Sequence, residues 1–279
     1  MLEDVYYLNN GYPMPRVGLG VYKIADEEMA PAVTAALEAG YRAFDTAYFY
    51  KNEIALGKAL KQSEIAREDL FLTSKIWNDY QGYDNTIKFF TKSIENLGTD
   101  YLDLFLIHWP CEADGLFVET YKAMEKLYEE GKVRAIGVCN FNAHHLEKLM
   151  SQTEIVPAVN QIEVHPYFNQ HELQTFCNKH DIAVTAWMPL MRNRGLLEHE
   201  LITDMASRYG KTPAQIVLRW HLSHDRLIIP KSKTPERIKE NYDIFDFNLE
   251  LTDIAEIDRL NCDDRQGNDP DNVRIGSLK

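Results

Sequence analysis

The sequence repeats one unit from about residue 41 onward: a short apolar run, then after a few residues an amphipathic stretch of about three helical turns. The runs are VGLG (17–20), YRAF (41–44), LFLTS (70–74), YLDLFLIH (101–108), VRAIGV (133–138), AVNQIE (158–163), IAVTAW (182–187) and RLIIP (226–230). Helical stretches lie near 26–39, 52–62, 84–97, 116–130, 142–151, 170–179, 213–223 and 235–242. Thr212-Pro213 and Thr234-Pro235 place a capping hydroxyl before a proline at the first helical position, and Gly40, Gly98 and Gly131 fall where left-handed C-caps belong. Strand–helix alternation predicts a parallel sheet with helical crossovers. Eight such units predict an α/β fold of the closed (β/α)8 TIM-barrel type. Two further helices, near 198–209 and 252–260, exceed that count, and residues 5–10 and 14–18 around Asn10-Gly11 read as a β-hairpin plugging one end. The 279 residues suit one barrel, which needs about 250, and no Pro-, Gly- or Ser-rich linker divides them, so one domain spanning 1–279 is expected.

A chain with 45% hydrophobic and 26% charged residues can bury a packed core. Its formal charge of −13 opposes attraction to nucleic acid or an anionic membrane, so any anion needs a local basic patch. Cys111, Cys139, Cys177 and Cys262 are far apart and form no C-x-x-C pair, which signals neither a zinc site nor a disulfide framework. The amino terminus, MLEDVYYLNN, does not read as a signal peptide, and no apolar stretch is long enough to span a membrane. A reduced, cytoplasmic monomer acting on a small molecule is expected.

In such barrels the chemistry gathers at the carboxyl ends of the strands. Asp45 ends the second apolar run, Lys75 the third and His108 the fourth, and Tyr50 follows in the turn after the second. Each has an ordinary structural reading: Asp45 as a helix cap, the others as packing or solvated strand ends. Together they form an acid–base set. An ammonium favours a phenolate and lowers a tyrosine pKa, Asp45 would hold Lys75 charged, and His108 could orient a carbonyl while Tyr50 supplies a proton. Asp, Lys, Tyr and His are not a common metal-ligand set, so no metal is expected there and the missing partner reads as a hydride donor.

The motifs DTAYFYKNE, TSK, LIHWP, GKVRAIGVCNF, VNQIEVHPY and IPKSKTPERIKEN, over nearly the whole chain, resemble those of the aldo-keto reductases, in particular a bacterial branch that reduces small carbonyls, dicarbonyls and diketo sugar acids. The resemblance implies that Tyr50, the tyrosine before x-N-E, is the acid, that Tyr48 is structural, and that Asp45, Lys75 and His108 complete a catalytic tetrad. It implies a nicotinamide cofactor lying across the barrel mouth without a Rossmann domain, and no G-x-G-x-x-G occurs here. Asn140 and Gln161 match the positions that hold the nicotinamide amide, and Trp187 that of the aromatic stacking on its ring. Cys139 stands where the family has serine, and Met188 in WMPLM (187–191) where it has small residues, so weaker cofactor grip is expected. Tyr22, Trp77 and Trp109 resemble the residues walling the substrate pocket.

The segment KSKTPERIK (231–239) concentrates cations at a helix start after the eighth run, where free N–H groups and the dipole favour phosphate. By resemblance Lys231, Ser232 and Arg237 contact a ribose 2′-phosphate and Glu240 and Asn241 the adenine, which favours NADPH over NADH. A short tail after Asp263 and almost no loop after Pro110 predict an open pocket of broad specificity. His144-His145 and the pair His221 and His224 lack a third ligand at regular spacing and read as surface groups. Two other functions are compatible with such a barrel: a non-catalytic redox-sensing subunit, and a Schiff-base lyase using Lys75, whose amine Asp45 should keep protonated and poorly nucleophilic.

Overall fold

The computed structural model describes residues 4–278. Strands β1 (Val5–Tyr7) and β2 (Pro13–Pro15) pair antiparallel as the expected hairpin. The barrel then alternates β3 (Gly18–Gly20), α1 (Asp26–Ala39), β4 (Ala43–Asp45), α2 (Glu53–Gln62), β5 (Phe71–Ile76), α3 (Tyr83–Leu97), β6 (Leu102–Ile107), α4 (Phe117–Glu129), β7 (Val133–Cys139), α5 (Ala143–Met150), β8 (Val159–Glu163), α6 (His171–Lys179) and β9 (Ala183–Trp187). It ends with α7 (Glu200–Tyr209), α8 (Pro213–Ser223), β10 (Leu227–Ile228), α9 (Pro235–Tyr242) and α10 (Leu251–Asp258).

Strands β3 to β10 form one parallel sheet in chain order, and bridges from Val17 to Ile228 and from Gly20 to Lys231 join its two edges. Helices α7 and α10 are the two beyond the repeat. Parallel strands buried on both faces need apolar runs rather than alternation, and β5 and β6 are buried at every position.

The hairpin closes the amino-terminal end of the barrel. Leu8 and Met14 pack in one cluster with Ala43, Phe71, Leu104, Ala135, Ala158, Ala183 and Leu227, residues near the strand starts. Asn10 Nδ2 donates to the Arg134 carbonyl at 2.9 Å and the Tyr12 hydroxyl to Asp103 Oδ1 at 2.8 Å. That end is thereby filled, and chemistry is left to the opposite mouth.

Helix ends follow the sequence signals with one exception. Gly40, Gly98 and Gly131 adopt positive φ (109°, 66° and 69°) just past α1, α3 and α4, and Thr212 caps α8 in a full capping box with Gln215. Thr234 does not cap α9. The Ser232 hydroxyl instead accepts from the Thr234 amide at 3.1 Å, so the start of α9 has no side-chain cap.

Candidate active site

Four strand-end groups meet at the carboxyl mouth of the barrel. Asp45 is the last residue of β4, Lys75 lies near the end of β5, His108 follows β6 directly, and Tyr50 closes the short 3-10 turn Tyr48–Tyr50. Lys75 is fully buried, and its ammonium donates to Asp45 Oδ1 at 2.5 Å and to the Thr46 carbonyl at 3.0 Å. A lysine and an aspartate this deep hold each other's charge. Asp45 therefore caps no helix: Asn52 occupies the N-cap position of α2 without a side-chain capping bond, and the second Asp45 oxygen accepts from Gln161 Nε2 at 2.8 Å.

The turn sorts its two tyrosines. Tyr48 packs edge-on against Tyr80 and Phe89, away from the mouth, whereas the Tyr50 ring lies 4.8 Å from that of Tyr22 and 5.7 Å from that of His108. The Lys75 ammonium is 5.2 Å from the Tyr50 ring centroid. That ammonium does not lower the phenol on balance, contrary to the expectation from sequence: burial pushes the Tyr50 pKa up, Lys75 offsets only part of this, and Asp45 and Cys139 add to the rise. Tyr50 stays protonated at neutral pH, as a proton donor must. Burial opposes charge on Lys75 as well, but Asp45, together with Tyr50 and Cys139, outweighs it and the ammonium is held above its ordinary pKa. Burial, helped by Lys75, drives His108 well below the usual histidine range, so its imidazole is neutral, and its Nδ1 has no hydrogen-bond partner.

A chain of polar contacts runs from this cluster along the sheet. Cys139 donates to Gln161 Oε1 at 3.7 Å, Asn140 Nδ2 to the His108 carbonyl at 3.0 Å and to Cys139 Sγ at 3.2 Å, and Trp187 Nε1 to Asn140 Oδ1 at 2.8 Å. Asn140 holds φ of 63°, which aims both ends of its amide at these partners. Burial keeps the Cys139 thiol protonated.

One cleft of about 1040 Å³ contains the expected site. Apart from Lys75, which supports it from beneath, every catalytic, cofactor and pocket residue singled out from sequence lines it: Asp45, Tyr50 and His108; Cys139, Asn140, Gln161 and Trp187; Lys231, Ser232, Arg237, Glu240 and Asn241; Tyr22, Trp77 and Trp109. Trp77 stacks on Phe49 with centroids 3.7 Å apart, and its ring is 5.1 Å from His108. Met188 also lines the cleft, at φ of 55°.

The far end of the cleft is electropositive. Lys233 and Lys239 are paired with Glu28 and Glu38, while Lys231 and Arg237 have no ion pair among the described residues. Partial burial, with Lys233 and Lys23 nearby, pushes the Lys231 ammonium below its ordinary pKa, and the Glu28 carboxylate offsets only part of this. Together with the uncapped start of α9, this suits a phosphate group. The Glu240 carboxylate accepts from the Thr212 hydroxyl at 2.7 Å and is held at the rim.

Sequence reasoning missed the tail. It does not leave the mouth open: Gln266, Gly267, Asn268, Ser277 and Leu278 line the cleft, and Val273, Ile275 and Leu278 pack with Trp77 and Trp109. Buried Glu163, at the end of β8, accepts from the amides of Gln266 (2.6 Å) and Gly267 (2.7 Å) and pairs with His165 at 3.0 Å. Asp114 and Asp79 accept from the amides of Ile275 and Gly276. Lys23 and Arg192 also line the cleft without having been singled out. Nor are the histidine pairs both on the surface: His145 and His221 are fully buried, His221 facing the Pro189 carbonyl at 3.1 Å.

The mouth supplies a proton donor, a neutral hydrogen-bond donor and a fixed ammonium, but no electron donor, and it opens onto a long cleft with an anion-favouring end. That is the outline of a barrel oxidoreductase that works on a carbonyl with a bound reductant. Comparison with known proteins narrows the class: the Aldo/keto reductase family model matches residues 16–262, and the chain belongs to that family. It is 49% identical over 273 residues to the glyoxal reductase of Bacillus subtilis, covering 98% of each chain, and 46% identical over 268 residues to the methylglyoxal reductase DkgA of Escherichia coli, covering 96% of this chain and 97% of that one. Among solved structures, a variant of Gox0644 in complex with NADPH superposes with a TM-score of 0.93 at 44% identity, covering 97% of this chain and 98% of the other. The protein is an enzyme that reduces aldehydes and ketones.

Proposed function

We propose that the chain reduces small aldehydes and ketones, α-dicarbonyls among them, with NADPH, and that Tyr50 donates the proton. The observation that carries this reading is the Asp45–Lys75–Tyr50–His108 cluster at one end of a cleft whose other end offers Lys231 and Arg237 to an anion. The residues fit the cofactor: Lys231, Ser232 and Arg237 would hold the 2′-phosphate, Glu240 and Asn241 the adenine, Asn140 and Gln161 the nicotinamide amide, and Trp187 its ring. When bound, NADPH supplies a hydride to the carbonyl carbon.

The chain's own groups handle the oxygen. The neutral His108 imidazole donates a hydrogen bond that orients the carbonyl, and Tyr50 transfers its phenolic proton to the oxygen as negative charge develops there. Lys75 stabilises the phenolate that remains until solvent returns the proton, and Asp45 holds Lys75 in place. Tyr22, Trp77 and Trp109 exclude water around a small carbonyl. Names of relatives favour dicarbonyls: the Bacillus and Escherichia proteins are called glyoxal and methylglyoxal reductases.

The ammonium that Asp45 holds protonated opposes Schiff-base chemistry at Lys75. Nothing in the comparisons supports a redox-sensing regulatory role. We read the chain as one domain and as a cytoplasmic monomer: no helix among the described residues is long and apolar enough to cross a membrane, and the exposed large apolar residues, such as Tyr7, Ile54 and Leu251, are scattered singly along the sequence. The test is consumption of NADPH by the purified chain with methylglyoxal, glyoxal or an aromatic aldehyde. Absence of turnover with all three refutes the proposal.

A further inference from the structure

Asn52 and Glu53, which end the motif DTAYFYKNE, are not among the residues lining the cleft, and Asn52 behaves unlike the residue its position calls for. It precedes α2, and its carbonyl accepts from the Leu56 amide at 3.0 Å as that of an N-cap residue does. Asparagine is favoured at such a position because, from an extended backbone, its side-chain oxygen takes a free amide of the first turn. Here the backbone is at φ −118° and ψ 9°, and the side chain makes no capping bond. Its two ends are used elsewhere: Oδ1 accepts from the Thr46 hydroxyl at 2.8 Å, and Nδ2 donates to the Val21 carbonyl at 2.8 Å. Asn52 and Thr46 are both buried, so water does not compete for these bonds.

Each partner leads to the reacting groups. Val21 follows β3 and precedes Tyr22, and its amide donates to the Asp45 carbonyl at 3.0 Å. The Thr46 amide donates to the Thr73 carbonyl at 2.9 Å, and the Thr46 carbonyl accepts from the Lys75 ammonium at 3.0 Å. Between Thr46 and Asn52 the chain makes the turn Tyr48–Tyr50 and passes Lys51 at φ of 58°. The segment that carries Tyr50 is thus a closed loop, and the Thr46–Asn52 bond is its neck. Its far side is anchored by buried Glu53, which accepts from the Ser74 hydroxyl at 2.7 Å and from Asn96 Nδ2 at 3.0 Å. A Cβ at Gly57 would collide with the Leu97 carbonyl, so α2 lies in backbone contact with the end of α3 and cannot shift to follow a displaced turn.

We propose that Asn52 is a positioning residue: by closing the loop through Thr46 and tying it to Val21, it sets the Tyr50 phenol against Lys75 and against the Tyr22 wall. This rests on the reading of Tyr50 as proton donor. Asn52 touches no reacting atom, so its effect falls on how well the proton is delivered. Misplacement of a reacting group by about 1 Å can cost about 10²-fold in rate. The groups offered to the cofactor, among them Asn140, Trp187, Lys231 and Arg237, lie on other strands and loops and share none of these bonds.

Three substitutions separate the bonds. Asn52→Asp keeps an acceptor for the Thr46 hydroxyl but turns a carboxylate oxygen toward the Val21 carbonyl. Thr46→Val nearly preserves shape and removes only the hydroxyl at the neck, and Thr46→Ser retains that hydroxyl.

The test is single-turnover loss of NADPH absorbance with methylglyoxal for the wild type and the three variants, in H₂O and D₂O, with NADPH affinity determined for each. Asn52→Asp and Thr46→Val should react about 10- to 100-fold more slowly, with unchanged NADPH affinity. Their solvent isotope effect should exceed that of the wild type, because proton delivery takes up more of the barrier. Thr46→Ser should recover the wild-type rate. A merely structural role would lower the amplitude of the turnover, through less folded protein, and leave its rate and isotope effect as in the wild type. That result, or a Thr46→Ser variant as slow as Thr46→Val, would overturn the proposal while the reading of the site stands. No turnover by the wild type would refute that reading and this proposal with it.

Discussion

In the proposed mechanism Tyr50 carries the chemistry, and burial and Lys75 act on it in opposite directions. Burial wins and keeps the phenol protonated; Lys75 makes the phenolate bearable once the proton has gone. Lys75→Met should lower kcat for methylglyoxal by about 10²–10⁴-fold, since it removes that support and strands the Asp45 carboxylate. A melting curve on the same variant separates lost catalysis from lost folding. The neutral His108 makes a second prediction: with its pKa well below the ordinary range, kcat/KM should be flat through about pH 6–8, and a break near 6.5 would show that the imidazole titrates there. Cys139→Ser should tighten NADPH by up to about tenfold, the gain from a stronger hydrogen-bond donor to Gln161. Loss of activity with the fold intact would assign the thiol a chemical role. Asp45, Lys75 and His108 were legible because each ends an apolar run, and in a barrel every run ends at the same mouth. The net direction of the Tyr50 shift was not, since sequence shows the neighbouring ammonium but not the depth of burial.

At the level of elements, the strands and helices follow local signals: short apolar runs, proline at helix starts, glycine past helix ends. The start of α9 departs from them, and the departure is useful, because a helix without a side-chain cap keeps its amides for an anion. Arg237→Ala should weaken NADPH by about 10- to 100-fold while leaving NADH nearly unchanged, as read from fluorescence titration of both cofactors. Equal losses would place Arg237 in the adenine pocket or the fold instead. The tail was illegible for a physical reason. Glu163 reaches its two amide donors across 103 and 104 positions, and no local pattern encodes a contact that distant. Gly267 shows how tightly the tail is seated: a Cβ there would come within 2.5 Å of the Trp187 ring and 2.7 Å of Glu163 Oε2. Gly267→Ala should therefore push the tail off Trp187 and weaken cofactor binding. Binding equal to the wild type would mean the tail yields without disturbing the ring.

For the whole molecule, closure of the sheet and the hairpin plug leave one mouth, and burial there sets the electrostatics. His108 and His221 are both held neutral, far below the pKa of an unfolded histidine. The unfolded chain therefore binds more protons below about pH 6.5, so stability is full above that value and falls on acidification, by up to about 1.4 kcal/mol per pH unit for each group. Urea unfolding at about pH 7.5 and 5.5 checks the sign; equal or greater stability at the lower pH would contradict it. The same architecture puts Tyr50 and the Lys231–Arg237 end in one cleft, and in the proposed function the phenol and a cofactor anchored at that end act on one carbonyl. The direct measurement is single-turnover loss of NADPH absorbance with methylglyoxal in the wild type and in Tyr50→Phe, with NADPH affinity determined for both. Affinity should be nearly unchanged and the rate in Tyr50→Phe lower by about 10²–10⁴-fold. An unchanged rate in Tyr50→Phe would show that the proton comes from another group.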